Sequence, residues 1–141
     1  MRIRYKYRDQ EMIEHILHNC QTIAVVGLSS RPERAGYYVP AYLQKHGYRI
    51  IPVNPNLGEA LGEKAFADLH SVPDPVDLVL IFRRSQAVPP FVEAAIKIGA
   101  QAVWMQQGIV HVEAAERAQE AGLEVVMNAC MMVEHRRIIQ D

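Results

Sequence analysis

Residues 22–36 read T-I-A-V-V-G-L-S-S-R-P-E-R-A-G, and the first half of that stretch restricts the fold more than any other part of the chain. Ile23-Ala24-Val25-Val26 is a continuous apolar run without polar alternation, the pattern of a strand buried on both faces of a parallel sheet. Parallel strands need long crossovers, usually helical, so the run predicts strands and helices in alternation. Gly27 ends it, Ser29, Ser30, Arg31 and Arg34 follow, and an amphipathic segment begins near Ala35. A strand, a turn of small residues and a helix start together present backbone N–H groups at a positive helix end, where a phosphate is stabilised.

The rest of the chain repeats the alternation. Asp9 is positioned to cap a helix whose buried face carries Met12, Ile13, Ile16 and Leu17 and which ends near Asn19. Tyr38, Val39, Tyr42 and Leu43 mark the inward stripe of a second helix closed by Gly47. Pro40 belongs in a first turn, which moves the expected start of that helix as late as Val39. Tyr48–Val53 reads as a strand ended by Asn54-Pro55-Asn56. Residues 57–75 read as an irregular connection, with a short strand around Lys64–Phe66 and a helical turn over Phe66–Leu69. Leu78–Phe82 is a further buried strand, followed by Arg83-Arg84-Ser85 and a helix with Pro89 and Pro90 in its first turn and Gly99 at its end. Strands at Gln101–Met105 and Glu124–Met127 flank a helix over Val112–Glu120, and a short polar helix around Glu134-His135-Arg136-Arg137 closes the chain. The class is α/β, a doubly wound, mainly parallel sheet of about five strands with helices on both faces.

A chain of 141 residues is most simply one domain. Half of its residues are apolar and the formal net charge is −1, so it lacks the basic excess of a general nucleic-acid binder. The charged N-terminus M-R-I-R-Y-K-Y-R-D holds no signal-peptide core, and no apolar run approaches the roughly 18 residues of a membrane helix. Two cysteines, Cys20 and Cys130, fit a reducing compartment better than a disulfide scaffold. The expectation is a soluble, cytoplasmic protein without nucleic-acid or membrane partners.

In an open parallel sheet, ligands bind beyond the carboxyl ends of the strands. That rule selects the turns Gly27–Arg34, Val53-Asn54-Pro55, Phe82-Arg83-Arg84-Ser85, Gln106-Gln107-Gly108 and Asn128-Ala129-Cys130. The first has Leu28-Ser29-Ser30 where a G-x-G-x-x-G motif has its second glycine, and the second has Asn54 where a carboxylate ordinarily holds a ribose. Two arginines in the third favour a nucleotide with an additional phosphate over NAD.

Five ordered segments carry a family likeness: G-L-S-S-R-P-E-R, I-P-V-N-P, D-L-V-L-I-F-R-R, W-M-Q-Q-G-I and N-A-C-M-M-V-E-H-R-R. Over residues 10–138 the chain resembles the small stand-alone CoA-binding proteins, which are similar in turn to the CoA-binding domain of the succinyl-CoA synthetase α subunit. The resemblance implies a Rossmann-like domain that binds coenzyme A at the strand ends. Gly27, Ser29, Ser30 and Arg34 would contact its phosphates, with Tyr37 nearby. Val53, Asn54 and Pro55 would border the ribose and adenine, and Phe82 and Arg83 would contact the adenosine part and its phosphate. Gln107, Gly108 and Asn128 would line the path to the pantetheine thiol. No residue matches the histidine that the synthetases phosphorylate.

Other candidates carry less. Arg31 and Arg34 enclose Glu33, so one of them is open to a surface ion pair. His15 and His18 are expected to face solvent rather than a metal, His111 to be a surface residue at a helix start, and His135 to lie on the polar face of the terminal helix. Cys130 is read first as a buried or unreactive thiol; its place at the thiol end of the groove also suits a mixed disulfide with a thiol ligand. Met105, Met127, Met131 and Met132 are read as core filling. No nucleophile, base and orienter occur together, so the leading reading is a CoA- or acyl-CoA-binding module without a catalytic site of its own. A small NAD(P)-dependent oxidoreductase and an acyl-CoA ligase subunit awaiting a partner chain are the alternatives, and a homodimer is as open as a partner subunit.

Overall fold

The computed structural model describes residues 7–139. The charged start of the chain, read above for its lack of a signal sequence, falls largely on residues 1–6, outside that range. Five parallel strands form the central sheet in the order β2-β1-β5-β6-β7. They are β1 (Thr22–Val26), β2 (Arg49–Val53), β5 (Leu78–Ile81), β6 (Ala102–Met105) and β7 (Glu124–Met127). The expected apolar runs are these strands: β5 and β6 are buried at every position, and β1 and β2 at all but the first.

Alternate residues on each strand serve opposite cores. Ala24, Val26, Val79, Ile81, Val103 and Met105 point to one face, while Ile23, Val25, Leu78, Leu80, Ala102 and Trp104 point to the other. Chain direction explains which helix covers which face. The β1-to-β2 crossover runs one way along the sheet and the β5-to-β6-to-β7 crossovers run the other, so right-handed connections put α2 (Ala35–Lys45) opposite α3 (Val88–Lys97) and α4 (Val112–Glu120). Helices α1 (Gln10–Asn19) and α5 (Met131–Ile138) join α2, burying Ile13, Ile16, Leu17 and Met131 beside Val39 and Leu43. Met105 and Met127 are buried in one core and Met131 in the other, against which Met132 packs, so all four fill core space as expected. This is a doubly wound α/β fold of the Rossmann-like kind. None of the helices among the described residues is long and apolar enough to cross a membrane.

Three details differ from the sequence reading. Helix α2 begins at Ala35 rather than Val39, and Pro40 lies inside it. Between β2 and β5 the connection holds a hairpin of β3 (Glu59–Ala60) and β4 (Glu63–Lys64), followed by a 3-10 turn at Leu69–Ser71 rather than at Phe66–Leu69. The hairpin turns at Leu61-Gly62, both at positive φ, as a type I′ connection requires. Phe66 bridges Val53 and so covers part of the β2 edge. His135, expected on a polar face, is 4% exposed. Its Nδ1 lies 2.9 Å from the Tyr42 hydroxyl, and its ring meets those of His46 and Tyr48 edge-on. Burial, and secondarily His46, lowers its pKa below the usual 6.5. Adjacent Glu134 is also buried and pairs with Arg137.

Candidate functional site

Strand order reverses between β1 and β5, because β2 lies on one side of β1 and all later strands of the sheet lie on the other. The carboxyl ends of these two strands meet closely. The Phe82 N–H donates to the Val26 carbonyl at 2.9 Å, and Gly27 has φ +85°. A Cβ on Gly27 would stand 3.0 Å from the Phe82 carbonyl oxygen and 3.0 Å from Cδ of Arg83, so this glycine is required by space as well as by backbone conformation.

The turn that follows is anchored from beneath. Leu28, standing where a dinucleotide motif has a glycine, is fully buried, and its carbonyl accepts Nδ2 of Asn54 at 2.9 Å. Oδ1 of Asn54 in turn accepts the Asn56 N–H at 2.9 Å. Asn54 thus ties two strand ends together, and its polar atoms are engaged without a ribose. Ser29 donates its N–H to the Gly36 carbonyl at 3.1 Å and accepts the Arg31 N–H on its hydroxyl at 3.1 Å. Helix α2 starts at an extended Arg34 without any side-chain cap. The N–H groups of Ser30, Ala35 and Gly36 therefore have no hydrogen-bond partner among the described residues. Such uncapped donors at a helix start are the ones an anion satisfies.

These groups open onto a cavity of about 520 Å³ lined by Gly27, Ser29, Ser30, Arg34, Asn54 and Phe82, together with Arg31 and the first turn of α2. A second cavity, of about 250 Å³, adjoins it through Gly27, Asn54 and Asn56 and is bounded by Val53, Pro55, Arg83 and Phe91. No carboxylate lines either cavity among the described residues. Arg31 is held by Glu33 at 2.9 Å, which resolves the choice left open by sequence and leaves the Arg34 guanidinium without a protein partner among the described residues. Arg83 stacks over the Phe91 ring, its guanidinium carbon 5.6 Å from the centroid.

A third cavity, of about 310 Å³, lies at the ends of β6 and β7 and is lined by Gln107, Asn128 and Cys130 with Arg8, Val133 and Glu134. Gly108 lines none of the three; its N–H donates to Oδ1 of Asn128 at 2.8 Å and so orients that side chain, and the Asn128 backbone has φ +63°. Tyr37 also lines none of them. Below this cavity the Trp104 indole N–H donates to the Ala129 carbonyl at 2.8 Å, and Gln106 accepts the Met131 N–H at 3.3 Å.

Both cysteines are free. Cys20 is buried and its thiol is pushed up to about 12 by desolvation, then by Asp77 and Glu124, which keeps it protonated and unreactive. Cys130 is half-buried and opens α5. His15 lies 3.0 Å from Glu124 and His18 3.8 Å from Glu14, with both imidazoles about half exposed. The described residues hold no group of three or more metal-ligating side chains. His111 does more than the sequence reading gave it, since its Nδ1 caps α4 by accepting the Ala114 N–H at 3.1 Å. Gly36 was not among the expected site residues. A Cβ there would fall 3.3 Å from the Gly27 carbonyl oxygen, and the signal for it is a glycine in the first helical turn after a phosphate-type loop.

Residues 21–136 match the family described as CoA binding domain. The chain belongs to that family. It is 44% identical to the uncharacterized protein YneT of Bacillus subtilis over 123 residues, covering 87% of this chain and 91% of that one. The CoA-binding-domain fold superposes with a TM-score of 0.89 on a hypothetical protein from Pyrococcus horikoshii, at 42% identity and 92% coverage of both chains. Similarity extends to the α subunit of an ADP-forming acetate–CoA ligase of Pyrococcus furiosus, 31% identical over 93 residues. That match takes in 62% of this CoA-binding-domain chain but spans only a fifth of the ligase subunit's length.

Proposed function

We propose that the protein is a coenzyme A-binding module that holds CoA or acyl-CoA at the carboxyl ends of its strands. The observation that carries this reading is the uncapped start of α2, whose N–H groups and Arg34 are without partners among the described residues, over a cavity that no described carboxylate lines. In this reading the phosphates lie against Gly27, Ser29, Ser30 and Arg34, with Tyr37 beside them. Val53, Asn54 and Pro55 border the adenosine, and Phe82 and Arg83 contact it and its 3′-phosphate. The pantetheine arm runs toward Gln107, Gly108 and Asn128, with its thiol end toward Cys130.

What the chain's own residues supply is binding and orientation. Arginine contributes charge-assisted, often bidentate contacts to phosphate. Uncapped N–H groups add directed donors that hold one anion geometry. A second reading, that the module works beside a ligase partner chain, draws support from the short match within the acetate–CoA ligase subunit.

Calorimetric titration with CoA, dephospho-CoA and NAD tests the first reading. CoA is expected to bind, and to bind more weakly without its 3′-phosphate. Arg34→Ala and Arg83→Ala are each expected to cost about 1–3 kcal/mol, whereas Arg31→Ala, whose guanidinium already serves Glu33, changes little. Binding of NAD with CoA inert would refute the reading and favour a nicotinamide-dependent enzyme. A ligase subunit would instead show CoA turnover only after its partner chain is added.

A further inference from the structure

Pro40 is buried within α2, four residues after Gly36. In a regular helix the N–H of residue 40 donates to the carbonyl of residue 36, but proline has no N–H and its ring crowds that carbonyl. A helix interior normally loses stability at such a place. Here the Gly36 carbonyl finds another donor, the Ser29 N–H at 3.1 Å, which belongs to the turn ahead of the helix. The approach is possible because Gly36 lacks a side chain: a Cβ would meet the Gly27 carbonyl oxygen at 3.3 Å and Cβ of Ser29 at 3.4 Å.

We propose that Pro40 is a positioning residue for the phosphate turn, withholding its own N–H so that the Gly36 carbonyl is reserved for Ser29. The proposal rests on the reading of that turn as a phosphate site. Any residue other than proline at this position would bring a competing donor along the helix axis, where the Gly36 carbonyl ordinarily points. Once Ser29 is drawn back onto the helix, the backbone of the turn is fixed at both ends. The Gly27 N–H is bound to the Val53 carbonyl at 2.9 Å, and the Ser29 N–H to Gly36. The N–H groups of Ser30, Ala35 and Gly36 then remain open at the cavity these residues line.

This role has an unusual signature, because helix propensity and ligand affinity move in opposite directions on Pro40→Ala. Alanine restores a good helix former and an N–H, so the midpoint of thermal unfolding is expected to hold or rise. Affinity for CoA is expected to fall by about three- to tenfold as the Ser29 bond weakens. Amide hydrogen exchange, followed by NMR on the ligand-free protein, reads the bond itself. In the wild type the Ser29 amide should be protected while those of Ala35 and Gly36 exchange fast, and in Pro40→Ala the Ser29 amide should lose its protection.

A Ser29 amide that exchanges as fast as that of Ala35 in the wild type would overturn the proposal without any variant. So would a Pro40→Ala protein whose stability and affinity fall together while Ser29 stays protected, since that is the behaviour of a residue that only fills space. Failure of the wild type to bind CoA would sink the phosphate reading instead, and the exchange data would then decide the reservation of the Gly36 carbonyl separately.

Discussion

At the scale of single residues, Gly27 carries the tightest constraint. A side chain there meets both left-handed backbone and the Phe82 carbonyl oxygen at 3.0 Å. Since backbone oxygen cannot step aside as a flexible side chain can, Gly27→Ala is expected to lower the unfolding free energy by about 1–3 kcal/mol. The measurement is a lower urea midpoint at an unchanged slope, which separates lost stability from a change in the denatured state. The residue scale also shows where sequence was legible and where it was not. Gly27, Ser29, Ser30 and Arg34 line one cavity as the strand-end rule expects, because a parallel run followed by a small-residue turn leaves the chain few ways to continue. Gly36 is legible in position, as a glycine in the first turn of α2, but not in importance, which comes from the Gly27 carbonyl across the turn.

At the scale of elements, α4 and β7 occupy Val112–Glu120 and Glu124–Met127, the bounds read from sequence, since Ala121-Gly122 divides them with a clear stop and β7 is a short apolar run. The β3–β4 hairpin was illegible for the converse reason. Two strands of two residues each have no alternation to read, and Leu61 is an uncommon residue for a positive-φ turn position. Helix α5 was placed correctly but faced wrongly, because its polar residues find partners from distant elements: Tyr42 and His46 on and after α2, and Tyr48 ahead of β2. That seam predicts a pH dependence. The groups facing His135 are the Tyr42 hydroxyl, the His46 imidazole and the Tyr48 ring, and Arg136 stacks on Tyr42. With the folded pKa of His135 lowered by burial, the unfolded chain binds the extra proton first, so stability rises with pH through this window. His135 is expected to contribute fully above its unfolded pKa, and that contribution to be lost as pH falls through 6.5 and below, levelling off under the folded pKa. Urea unfolding between neutral and mildly acid pH checks this. His135→Gln should flatten the slope, and an unchanged slope would count against His135 as its source.

At the scale of the whole molecule, two cores share one sheet, so occupation of the strand-end cavities couples to global unfolding. If CoA binds the folded chain alone, a ligand concentration one hundred times its dissociation constant should add about 2.7 kcal/mol to unfolding. The increment should shrink in parallel with affinity in Arg34→Ala, as scanning calorimetry would register. The overall architecture was legible because a parallel sheet with helical crossovers follows from its apolar runs and right-handed connections. The separation, among the described residues, of the cavities at the β1–β5 ends from the one at the ends of β6 and β7 was not, since it depends on how far these ends lie apart in the finished sheet. Trp104, the chain's single tryptophan, stands between these regions, fully buried in β6 with its indole N–H on the carbonyl of Ala129. Its emission should therefore report a single buried environment tied to the loop between Asn128 and Cys130, and a ligand that reaches the far cavity is expected to shift it while one held at the first turn leaves it unchanged.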